Sequence, residues 1–130
     1  MTARMNAIGM IAIDLPATLA FYRALGLDIP AEADTAPHVE ADLGGGIKLM
    51  WDTEETIRSF APDYEPPASA GRIGICFEFD SPAEVDKAYA DLTAAGHQGG
   101  KEPWDADWGQ RYALVRDPDG NEVSLYASLS

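Results

Sequence analysis

Few residues in this chain have the types and spacing to do chemistry. His38, Glu40 and Asp42 alternate along one stretch, so in an extended strand their side chains share a face. Such a face is either solvated or lines the mouth of a pocket, and there His38 would titrate near neutral pH. Trp104 and Trp108 flank Asp105 and Asp107 within residues 103–109, a segment read here as a loop. Two large aromatics beside two acids either anchor that loop or form a stacking lid over a flat ligand, since indole faces attract cations. Arg111 can reach an acidic ligand group or Asp105. Tyr64, in a proline-rich stretch, either packs locally or closes a ligand's far side. Cys76 has no basic neighbour in sequence and reads as a small core residue, although its strand position faces any cavity. Glu78 and Glu122 are carboxylates that burial could tune for proton transfer. There are two histidines in all; the second, His97, follows a helix end, where exposure is expected.

Composition narrows what these residues can serve. The chain has 130 residues, 46% hydrophobic and 24% charged, which fits one globular domain. The formal charge of −13 is spread along the chain, which disfavours nucleic acid and anionic membranes and favours neutral or cationic ligands. No apolar run approaches the ~20 residues of a membrane span. The start lacks a signal-like apolar stretch, and the single cysteine allows no internal disulfide, so the cytoplasm is the expected location.

The elements that must position the site follow from hydrophobic period. Residues 5–13 form an apolar strand. Asp14 caps a helix with Pro16 in its first turn and Leu15, Leu19, Tyr22 and Leu25 on its stripe, ended by Gly26. Residues 38–43 and 47–51 make a hairpin through three glycines. Residues 53–71, rich in proline, read as a connection with one helical turn around Ile57. The plan then repeats: an apolar strand at 73–79, a helix opened by Ser81 and Glu84 as a capping box and ended by Gly96. Strands at 112–116 and 122–126 follow, around the turn Asp117, Pro118, Asp119, Gly120. Residues 7–22 overlie residues 74–89 without a gap, and 46–51 overlie 120–125. The expectation is α+β: a single domain, 1–130, of two βαβββ modules, 5–52 and 72–128, joined by 53–71 and forming a partly closed sheet around a cavity. From the alternation, Lys48, Met50, Cys76, Ser124 and Tyr126 face that cavity. Trp51 shares a face with Leu49 and is expected in the core.

Two stretches carry a family resemblance. One is Ile8 to Leu15 with Phe21, Tyr22, Arg23 and Leu25, Gly26, Leu27; the other is Asp117, Pro118, Asp119, Gly120, Asn121 followed by Val123 and Leu125. Together they resemble the vicinal oxygen chelate superfamily of glyoxalase I, extradiol dioxygenases and bleomycin-resistance proteins. The resemblance implies a divalent metal held from the first and last strands of each unit. The matching positions here are Ala7, Met50, Gly74 and Ser124, which are poor ligands for Zn, Fe, Mn or Ni. It therefore implies the fold and argues against the metal, so no cofactor is expected. It is most similar in character to the bleomycin-resistance branch, which implies a metal-free, homodimeric protein sequestering an aromatic, cationic or neutral antibiotic-like compound. The ligand residues would be His38, Lys48, Met50, Tyr64, Cys76, Trp104, Trp108, Arg111, Ser124 and Tyr126. The alternative is a lyase, isomerase or dioxygenase-like enzyme with a relocated metal or none.

Overall fold

In a computed structural model, which describes residues 1–67 and 72–130, the chain divides into two compact units, Met1–Pro66 and Pro67–Ser130. Both are α+β, and among the described residues their strands form a three-stranded and a four-stranded sheet, neither closed into a barrel.

The first unit runs β1 (Ala7–Ala12), α1 (Leu15–Ala24), a 3₁₀ turn (Ala31–Thr35), β2 (His38–Asp42), β3 (Lys48–Thr53) and α2 (Glu54–Phe60). Asp14 caps α1 by accepting from the Ala17 amide at 3.3 Å. Gly26 ends it at φ +103°, the left-handed conformation that glycine adopts without steric cost. The sheet order is β1-β3-β2, with β1 parallel and β2 antiparallel to β3. α1 packs on one face through Leu15, Leu19 and Tyr22, against Met10, Val39, Leu49 and Trp51, all buried. The Tyr22 and Trp51 rings lie 5.3 Å apart, and the Tyr22 hydroxyl donates to Met10 Sδ at 3.4 Å. Full burial of a side chain such as Leu19 contributes about 2 kcal/mol. Trp51 is in the core as its alternation predicts. Its indole N–H has no hydrogen-bond partner among the described residues, which costs about 1–3 kcal/mol.

This unit has one strand fewer than the expected βαβββ plan. Where a strand would follow α1, Arg23 donates from Nε to the Ile29 carbonyl (2.8 Å) and from Nη2 to the Pro30 carbonyl (2.7 Å). Those carbonyls are taken, and Pro30 and Pro37 have no amide to give to a ladder. The segment between them becomes a 3₁₀ turn.

The second unit is complete: β4 (Ile75–Glu78), α3 (Pro82–Ala94), β5 (Gln98–Ala106), β6 (Gln110–Arg116) and β7 (Glu122–Ser128), in sheet order β4-β7-β6-β5. Ser81 Oγ accepts from the Glu84 amide at 3.4 Å, and the Glu84 carboxylate accepts from the Asp80 amide at 2.9 Å, closing the capping box one residue early. Val85 and Leu92 of α3 are buried, as are Ala113, Val115, Val123, Leu125 and Ala127 on its side of the sheet. A Cβ on Gly99 would lie 2.3 Å from the Tyr89 hydroxyl, so glycine there lets α3 approach β5.

The helical turn expected around Ile57 is present, and the loop expected at 103–109 is shorter. Residues 53–71 contain α2, whose cap is Thr53 accepting from the Thr56 amide at 3.1 Å; residues 68–71 lie outside the described structure. Residues 103–106 are not loop but the end of β5. Their lack of alternation comes from register shifts on either side of Lys101, which displace Pro103 and Trp104 from a simple period of two.

Candidate functional site

Each sheet has one face against its helix and one face turned away from it, and the sequence-predicted residues fall mostly on the latter. On the first sheet the register puts them in rows: Ala7, Lys48 and Asp42; Gly9, Met50 and Glu40; Ile11, Asp52 and His38. Four of these form a continuous chain. His38 Nδ1 is 2.6 Å from Asp52 Oδ1, His38 Nε2 is 2.8 Å from Glu40 Oε2, and Lys48 Nζ donates to Glu40 Oε1 at 2.8 Å. An imidazole with a carboxylate at each nitrogen is best satisfied when both nitrogens carry protons. Hydrogen bonding to Glu40, then to Asp52, accordingly raises the His38 pKa, while partial burial opposes the shift. Glu40 is held lower than an ordinary carboxylate, first by Lys48 and then by His38. A cleft of about 460 Å³ opens beside this chain and is lined by Asn6, Glu40, Asp42, Ile47 and Lys48. A larger open cleft, about 800 Å³, lies elsewhere in the unit, among Asp14, Pro16, Thr53, Thr56 and Ser59, and includes none of the predicted site residues.

On the second sheet the face away from α3 is aromatic. Glu78, Tyr126, Tyr112 and Trp104 are register partners on successive strands, giving one row across β4, β7, β6 and β5. Tyr112 and Tyr126 stack with centroids 5.9 Å apart at 21°. Trp104 meets Tyr112 edge-on at 5.5 Å, and Trp108 meets both Tyr112 (5.5 Å) and Trp104 (6.1 Å). Trp108 leaves 59% of its surface exposed, and its Nε1 donates to Gln110 Oε1 at 2.9 Å. Lys101 Nζ lies 3.9 Å from the Trp104 ring centroid. Cys76 and Ser124 are partners in the next row; the former is exposed and the latter buried. Burial, reinforced by the Glu78 charge, raises the Tyr126 phenol's pKa, so it remains a neutral donor through the physiological range.

Arg111 and Tyr64 do not join these groups. Arg111 points to the helix side, where it donates to Asp86 Oδ1 at 2.9 Å and to Asp105 Oδ1 at 3.0 Å. Its place follows from strand parity: next to Tyr112, it must face the other way. It ties α3 to β5 and β6, and Asp105 is one of the two partners open to it in the sequence. Tyr64 belongs to the first unit and packs under Arg58, 5.4 Å from the ring centroid. His97, expected to be exposed, is half-buried. The sequence reading missed Tyr112, the ring that contacts all the others, and Lys101. Tyr112 was legible, because Gln110, Tyr112 and Leu114 alternate with Arg111, Ala113 and Val115. Lys101 was not, because its position depends on the register shifts.

The residues present do not fit the metal that the family resemblance implies. Ala7, Met50, Gly74 and Ser124 offer a methyl, a thioether, a hydrogen and a hydroxyl, and Ala7 pairs in register with the cationic Lys48. Among the described residues no group of three or more His, Cys, Asp or Glu is arranged to hold a metal ion. The His38 nitrogens are both engaged by carboxylates.

A helix-backed sheet in each unit, repeated along the chain, defines the class. The sequence profile of the Glyoxalase/Bleomycin resistance protein/Dioxygenase superfamily matches residues 4–125, and the chain belongs to that superfamily. No curated protein matches it. Among solved structures it is similar to a glyoxalase-related enzyme from Fulvimarina pelagi, with 18% identity, TM-score 0.80, and 98% of this chain and 89% of that one covered. It is similar to a glyoxalase/bleomycin resistance protein/dioxygenase family enzyme from Burkholderia phytofirmans PsJN at 21% identity and TM-score 0.79, over 98% and 100% of the chains. A lactoylglutathione lyase from Agrobacterium tumefaciens aligns at 25% identity and TM-score 0.67, over 98% and 95%.

Proposed function

We propose that this protein binds and sequesters a small, flat aromatic compound, of the size and character of an aromatic antibiotic, without using a metal. The observation that carries this reading is the ring cluster of Tyr126, Tyr112, Trp104 and Trp108 on the face of the second sheet away from α3. Four rings joined through Tyr112, with Trp108 largely exposed, give a flat ligand a surface to stack on, at about 0.5–1.5 kcal/mol per ring pair beyond the area buried. The unfit donor set supports the metal-free part. The net charge acts at long range, on the rate at which a charged compound approaches rather than on what the surface holds.

Tryptophan fluorescence tests the reading. A stacked aromatic probe should quench it saturably, and Trp108→Ala should weaken binding several-fold while leaving the thermal transition in place. Binding unchanged by Trp108→Ala and by Tyr112→Ala would reject it. So would stoichiometric Zn, Fe, Mn or Ni in protein purified without added metal, for the metal-free part.

A second reading has one observation behind it. The Asp52, His38, Glu40 and Lys48 chain is the kind of oriented acid–base group that a metal-independent lyase or isomerase would use, and a lactoylglutathione lyase is among the structural relatives. Turnover abolished by His38→Gln, with aromatic binding intact, would favour it.

A further inference from the structure

We infer that Lys101 sets the charge of the ligand, and that the aromatic face of the second sheet takes a flat aromatic acid rather than an aromatic cation. The inference rests on the stacking surface proposed above and decides what that surface selects.

The attraction of an indole face for a cation is the physical basis for expecting a cationic ligand. Here that position is filled by the protein's own ammonium, Lys101 Nζ at 3.9 Å from the Trp104 centroid. An incoming cation would have to displace Lys101 or approach beside it, against like-charge repulsion. By displacing Lys101 it gains no net cation–π contact at Trp104, because it only exchanges one ammonium for another. An anionic substituent meets the opposite situation. A ring stacked next to Trp104 brings its carboxylate within reach of an ammonium already positioned at the edge of the platform, and Lys101 can hold both the ring face and the acid.

The row of partners also has a direction. Glu78 stands at the β4 edge and Trp104, with Lys101, at the β5 edge. Three strand spacings separate those edges, roughly 14 Å. An acid is therefore favoured at the β5 edge and disfavoured at the β4 edge, which fixes the ligand's orientation. The chain's net charge of −13 acts differently: it slows the approach of an anion and is screened by salt, whereas the Lys101 contact acts on the bound state.

The test uses three probes of one shape, 2-naphthoate, 2-naphthylmethanol and 2-naphthylmethylammonium, titrated by tryptophan quenching at moderate salt. With the parent protein, naphthoate should bind most tightly. Lys101→Met keeps an apolar stem on Trp104 and should cost naphthoate about tenfold, the scale of one charged hydrogen bond, with little effect on the alcohol and a gain for the ammonium. Lys101→Arg should restore the preference for the acid. Lys87→Met, which removes the same charge on α3 where Lys87 pairs with Asp91, should leave all three affinities unchanged. Naphthoate affinity equal in the parent and in Lys101→Met, or the ammonium binding best to the parent, would overturn the inference while leaving the stacking surface intact. If no probe binds, and Trp108 emission shifts only with protein concentration, a second copy covers this face. The stacking surface and the inference would then fall together.

Discussion

His38 is the residue whose protonation the surrounding structure most clearly controls. Its two carboxylate partners come from its own strand and from β3, with Lys48 bound to the far side of Glu40. Raising a histidine's folded-state pKa means that the folded protein holds the proton more tightly than the unfolded chain does. The stabilisation is then fully present below the unfolded value of 6.5 and is lost as pH rises through the raised folded value. We expect the parent to lose stability across this window on going from about pH 5 to about pH 9, and His38→Ala to lose less. Urea denaturation of both proteins across that range checks it; parallel curves would show that the cluster adds no proton-linked stability. His38, Glu40 and Asp42 were readable as one face from alternation alone. Asp52 as the closest partner was not, because cross-strand register depends on how the Gly44, Gly45, Gly46 turn closes.

At the scale of elements, the most informative sequence signal was the turn between β6 and β7. The side chain of Asp117, buried at 4% exposure, accepts from the Asp119 amide (3.0 Å), the Asn121 amide (2.8 Å) and Asn121 Nδ2 (2.9 Å). One carboxylate thus replaces the partners that the turn's backbone would otherwise lack, and Gly120 adopts φ +86° to complete it. Asp117→Ala should cost about 2–3 kcal/mol, since it strands donors at a partly buried site and removes charge-assisted hydrogen bonds. Asp117→Asn should cost less. Equilibrium denaturation of the two variants measures the difference, and near-parental stability for Asp117→Ala would mean that water replaces the carboxylate. Two of the three helix caps, at Asp14 and Ser81, were legible for the same reason: a side chain meeting a local backbone need leaves a short-range sequence pattern. The 3₁₀ turn and β5 were not. Arg23 fixes the first through contacts six and seven residues away, and the second is shaped by register shifts against β6. Neither produces a hydrophobic period.

At the scale of the molecule, each sheet ends in two unlike edges. β2 presents His38, Glu40 and Asp42, and β5 presents Pro103, Lys101 and two register shifts, devices that discourage further pairing. β1, the other end of the first sheet, consists of uncharged residues, and β4 carries only Glu78. Plain edges of this kind are normally covered, within a chain or by a partner. The chain also exposes Ile13 and Phe60, at 67% and 71%. On the exposed apolar residues we propose a homodimer. Its formation is opposed by the chain's own charge, since two bodies of −13 repel over about 10 Å at ordinary ionic strength. Dimerisation driven by apolar surface should therefore strengthen with added salt, whereas an assembly held by ion pairs should weaken. Sedimentation at micromolar concentration is expected to show a dimer whose dissociation constant falls between low and high salt. A monomer under both conditions would reject the dimer, and a dimer that salt dissociates would place charged contacts, not apolar surface, at its interface.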